Sequence, residues 1–128
     1  MEPITVKGGK GTVDLEDGRY IHLVWNRSVR IEAEDAKAAM ASVNVVADGG
    51  EYPMLVDMAT TESVSRPARA VFSIPCAASR IALLGSSPVD RVLANFFLSL
   101  HVPPCPTRFF TSREDAMAWL LQEPAGKL

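Results

Sequence analysis

A chain of 128 residues with 13 Lys+Arg against 15 Asp+Glu, 48% hydrophobic and 22% charged, has the make-up of one soluble globular domain. Its two cysteines, Cys76 and Cys105, are too few for a disulfide-stapled secreted scaffold, and no apolar run approaches the roughly 20 residues that cross a bilayer. A pI near 5.6 argues against broad binding to nucleic acid or anionic membranes, and the start MEPITVKGGKG lacks an apolar signal core, so the expected address is the cytoplasm.

Residues 1–10 and 124–128 read as flexible ends of a single domain spanning 1–128. Lys7 to Gly11 is glycine-rich but lacks the Gly-Lys-Ser/Thr ending of a phosphate loop. Thr12 to Leu15 and Tyr20 to Trp25 then read as strands around the turn Glu16-Asp17-Gly18, an Asp-Gly hairpin. From Ile31 the period changes. Ala36, Ala39, Met40, Val43 and Ala47 fall at helical spacing, Glu32, Glu34 and Asp35 put negative charge in the first turn, and Asp48-Gly49-Gly50 ends the helix.

Three strand-helix pairs follow. The strands are Tyr52 to Asp57, Arg80 to Leu84 and Thr107 to Phe110, short and apolar as strands covered on both faces are. Their helices start near Ser65-Arg66-Pro67, at Ser87-Pro88, and at Thr111 or Ser112, where Thr111-x-x-Glu114 has the form of a capping box. In the helix from Pro88 to Leu100, Val89, Val92, Leu93, Phe96, Phe97 and Leu100 form one apolar stripe, widened by Leu98. Alternating strands and helices with right-handed crossovers predict an open, mixed α/β sheet, mostly parallel, with the hairpin at its side and about four helices. The loops leaving the strands' carboxyl ends, Met58 to Ser65, Gly85 to Ser87 and Thr111 to Ser112, then share one rim, where a site is to be sought.

Two segments carry a resemblance: YPMLVDM with its Ser/Thr-rich loop and Arg-Pro-Ala-Arg, and ALLGSSPVDRVLANFFLSLHVPPCPTRFFTSREDAMAWL. Over Val13 to Leu121 the chain resembles bacterial SpoIIAA-like, or STAS-type, domains of unknown function. The resemblance implies a compact strand-helix fold and a switch module that binds partner proteins. Some STAS domains are phosphorylated on a serine that opens a helix after a central strand. A similar arrangement in CRAL-TRIO lipid-transfer domains encloses an apolar ligand. The switch proteins of the family carry Asp-Ser followed by Ser-Gly-Leu-Gly, and this chain has Ser63-Val64-Ser65-Arg66-Pro67-Ala68 instead. Ser65 is the nearest serine, Ser63 the next, and the glycines are replaced by Arg66 and Pro67.

A phosphate on Ser65 would meet helix amides, Arg66 and Arg69, while the plainer role of Ser65 is a helix cap. Thr60, Thr61, Glu62 and Ser63 lengthen the same loop, as an interaction loop or as a solvated connection. Gly85, Ser86 and Ser87 form either an anion seat or merely a capped helix start, since Pro88 breaks the Gly-x-Ser-x-Gly spacing of a hydrolase elbow. Arg66, Arg91, Arg108 and Arg113 either converge on the rim towards an acidic partner or lie dispersed.

His22 and His101, the only histidines, read as satisfied or solvent-facing rather than catalytic. Cys76 and Cys105 lack metal-ligand spacing, and Phe109, Phe110 and Trp119 read as core. No catalytic residues, metal, cofactor or nucleic acid are expected. Two functions stay open: protein-protein regulation through Thr60 to Arg66, and carriage of an apolar, lipid-like molecule against Phe96, Phe97 and Leu100. The run from Phe97 through Pro104 also leaves room for a homodimer surface.

Overall fold

The computed structural model describes residues 3–26, 28–58, 63–72, 77–85 and 105–121. In chain order these form β1 (Ile4–Thr5), β2 (Gly11–Glu16), β3 (Tyr20–Trp25), β4 (Arg30–Ile31), α1 (Ala33–Ala47), β5 (Tyr52–Asp57), β6 (Ser63–Val64), α2 (Arg66–Phe72), β7 (Ala78–Leu84), β8 (Thr107–Phe110) and α3 (Arg113–Leu120). Six strands make one sheet in the order β1-β2-β3-β5-β7-β8. β1, β2 and β3 pair antiparallel, and β3, β5, β7 and β8 pair parallel, the mixed and mostly parallel sheet with an N-terminal hairpin that periodicity predicts. The expected helix from Pro88 to Leu100 lies outside the described residues.

The hairpin closes where Asp17 and Gly18 both take positive φ, 52° and 67°, and Arg19 N–H donates to Glu16 O at 2.8 Å. Two consecutive left-handed residues match the right-handed twist of the flanking strands, and Asp-Gly is the pair that adopts them cheaply. Alternation along the strands then separates two cores. Val13, Ile21, Leu23, Trp25, Met54 and Val56 face α1, whose Ala36, Ala39, Val43 and Val46 are buried against them. Ala68 and Val71 bring α2 to the same side. Leu55, Ala82 and Leu84 point to the other face, where Ala116 and Leu120 of α3 cover them. Full burial of side chains such as Ile21 and Leu23 contributes about 1.5–3 kcal/mol each.

Helix boundaries follow local chemistry. At the start of α1, Glu32 N–H donates to Asp35 Oδ2 at 2.9 Å. At its end Asp48 turns left-handed, at φ 46°, and donates to Asn44 O and Val45 O. α3 is capped by Ser112, whose Oγ accepts from Asp115 N–H at 3.3 Å, so the cap lies one residue beyond the Thr111-x-x-Glu114 box.

Two features depart from the sequence expectation. The glycine-rich start, expected as part of a flexible end, is a strand and a bonded turn. Ile4 pairs with Val13, Val6 is fully buried, and Gly9 N–H donates to Val6 O at 2.8 Å. Lys10 Nζ donates both to Arg30 O and to Asp35 Oδ2, each at 2.8 Å, which ties that turn to the entry of α1. The second feature is a separate parallel ladder in which Arg30 and Ile31 of β4 pair with Ser63 and Val64 of β6.

Candidate functional site

The carboxyl ends of the parallel strands form the rim. Met58 N–H donates to Leu84 O and Gly85 N–H to Phe110 O, both at 2.9 Å, so the loops leave the sheet side by side. Gly85 is buried and its own amide is spent on β8, so an anion seat at this strand end would draw on the amides of the helix expected to follow; Ser86 and Ser87 lie outside the described residues.

Ser65 follows β6 and precedes α2. Its N–H donates to Ile31 O at 2.9 Å, and its Oγ accepts from Ala68 N–H at 3.2 Å, the capping role expected of it. The residue is half-buried, while Arg66 and Pro67 beside it are exposed. Ser63 reaches the same place through its backbone pairing with Arg30. Thr60, Thr61 and Glu62 lie outside the described residues, as do Phe96, Phe97, Leu98, Leu100, His101, Arg91 and Cys76.

The described arginines do not converge on the rim. Arg66 opens α2, on the side of the sheet that α1 covers, whereas Arg113 begins α3 on the other side and donates to Tyr20 Oη at 3.4 Å. Arg108 Cζ lies over the rings of Phe110 and Trp119, 5.5 and 5.7 Å from their centroids. Phe110 and Trp119 are half-buried against the α3-side core, as the sequence implies for them.

The structure brings together a polar group on the α3 side of β2 and β3 that sequence reasoning missed. His22 stands opposite Asp14, with Glu16 and Tyr20 on the same face. His22 Nδ1 is 3.7 Å from Glu16 Oε1, while His22 Nε2 and Asp14 Oδ1 are buried without hydrogen-bond partners. Burial first, and then the Arg113 charge, hold the imidazole below its ordinary range, against the opposite pull of Glu16 and Asp57. His22 is thus neither satisfied nor solvent-facing. The available signal was the even spacing of Asp14, Glu16, Tyr20 and His22 across a known hairpin, which puts all four on one sheet face. Among the described residues no three His, Cys, Asp or Glu side chains are grouped to hold a metal ion, and no helix is long and apolar enough to cross a membrane.

The sequence model of a family described as "Domain of unknown function (DUF7793)" matches residues 13–123. No curated protein matches the chain. Among solved structures, an uncharacterized DUF3478-family protein with a SpoIIAA-like fold from Shewanella loihica PV-4 aligns with a TM-score of 0.61 at 16% identity, covering 86% of this chain and 91% of that one. A protein with unknown function from Arthrobacter sp. fb24 is 58% identical, covering 87% of this chain and 99% of that one, with a TM-score of 0.36. The Shewanella structure establishes the SpoIIAA-like fold that the sequence resemblance implies.

Proposed function

The chain belongs to the DUF7793 family, and from that footing we propose that it is a non-enzymatic regulatory module that binds a partner protein through Thr60 to Arg66. The observation that carries this reading is the double attachment of Ser65. Its amide holds β4 through Ile31 and its hydroxyl caps α2, so one half-buried residue links a two-residue side ladder to a helix entry. A short ladder outside the main sheet is a low-stability element of the kind that partners engage. A phosphoryl group on Ser65 Oγ would add about −1.5 to −2 charges beside Arg66 and alter that junction. The fold likeness supports a module of this type by analogy only, because fold alone does not confer function.

Native mass spectrometry of the chain purified from its own cells, wild type beside Ser65→Ala, tests the reading. A stoichiometric protein partner or a covalent phosphoryl group, weakened or lost in Ser65→Ala, is the expected result. A retained noncovalent lipid-sized mass on a chain without protein partner would replace this reading with carriage of an apolar molecule.

A further inference from the structure

On the α3 side of the sheet, away from the rim, two guanidinium groups are held against one indole ring. Arg80 lies 5.2 Å and Arg108 5.7 Å from the Trp119 ring centroid. The strand register explains the meeting. Arg80 and Ala82 project to one face of β7, Ala82 pairs with Arg108 of β8, and α3 lays Trp119 over both strands. Arg80 is fixed further by donation from Nη1 to Trp119 O at 2.8 Å, where a positive charge also suits the carboxyl end of α3. Arg108 is exposed and spans Phe110 and Trp119, whose own centroids are 5.7 Å apart.

A cation–π contact uses the charge of a guanidinium and does not consume its five N–H donors. Both groups are therefore gathered at one ring with donors to spare, Arg80 having given one to Trp119 O. The carboxylate contacts of Asp35 with Lys10 and of Glu16 with His22 both lie away from Arg80 and Arg108. Two like charges converging on one half-buried ring repel unless an anion is shared between them. A phosphate group suits the pair better than a carboxylate, because it carries close to two negative charges at neutral pH and accepts forked donation from more than one arginine.

We infer that Arg80, Arg108 and Trp119 form a binding site for the phosphate group of a small phosphorylated molecule. The site stands apart from the Ser65 junction, so it holds or fails independently of the partner-binding reading.

The test is a titration of the full-length chain with inorganic phosphate at pH 7.5, with ionic strength held constant by sodium chloride, followed by NMR of the two indole N–H signals. The Trp119 signal is expected to shift saturably, while that of the buried Trp25 stays in place. Arg108→Gln, at an exposed position, is expected to weaken phosphate about tenfold or more, and Arg108→Lys, which keeps the charge without the fork, to recover only part of the loss. Arg80→Gln should weaken it as well; should that variant unfold through loss of its bond to α3, the Arg108 variants still decide the question. Shifts that sodium chloride reproduces, unchanged affinity in Arg108→Gln, or acetate binding as tightly as phosphate would each overturn the assignment.

Discussion

Asp14 and His22 face each other across the β2–β3 pairing, and each buries one polar atom, Oδ1 and Nε2 respectively, without a hydrogen-bond partner. Such atoms forgo water for nothing, at a cost of about 1–3 kcal/mol each. The hairpin tolerates them because its opposite face buries Val13, Ile21 and Leu23.

Stability is expected to depend on pH through His22. The folded protein holds the imidazole below its ordinary value near 6.5, so the unfolded chain binds more protons between the two values. Stability is therefore full above that range and falls as the pH drops through 6.5 towards the folded value. Urea midpoints at pH 7.5 and 5.5 measure the slope. His22→Leu should flatten it and cost nothing at pH 7.5, where removing the orphaned nitrogen returns about 1 kcal/mol.

A second acid limit belongs to Asp35. Burial alone would raise its carboxyl, but hydrogen bonds from Lys10 and the Glu32 amide, together with the Lys10 charge, bring it below the usual carboxylate range. Its contribution is present above the unfolded value near 3.8 and is lost as the pH falls through the lower folded one. Lys10→Met should cost about 1–2 kcal/mol at neutral pH, since Lys10 is partly exposed, and should move acid unfolding to higher pH. Circular dichroism followed from pH 7 to pH 2 checks both effects.

Gly11 is expected to resist even the smallest substitution. A Cβ built there meets Val24 O at 2.7 Å and Trp25 Cε3 at 3.2 Å, and the nearer of these is backbone of the neighbouring strand. Gly11→Ala must push β2 from β3 and should cost about 1–3 kcal/mol, read as a lowered thermal midpoint. Gly9, where an added Cβ meets nothing, is the control for crowding, although its φ of 76° still disfavours a side chain.

Ser65→Ala should lower stability by about 1 kcal/mol through loss of the α2 cap, and Ser65→Asp should restore most of it because a carboxylate accepts the same amide. Denaturant titration of both variants separates this capping effect from any change in partner binding. A partner lost in Ser65→Ala and still absent in the equally stable Ser65→Asp would place recognition on the hydroxyl itself.

Much of the architecture was legible in residue order, because burial against a sheet imposes periods that a local window reveals. Asp17-Gly18 announced the hairpin, Ala36 to Ala47 the covering helix, and the apolar runs at Tyr52 and Arg80 the inner strands. The cap at Ser65 was equally readable from Ser-Arg-Pro before an apolar stretch. Tertiary structure alone decided the rest, since these features depend on partners far away in the chain. Ile4–Thr5 is too short for any period and becomes a strand only where β2 offers an edge, and β4 finds β6 across more than thirty residues. The buried atoms of Asp14 and His22, and the meeting of Arg80 with Arg108 over Trp119, arise from which face of the sheet is covered and by what. Local propensity determined the longer elements of this protein; the register between strands and the covering of each face determined the two-residue strands and which side chains meet.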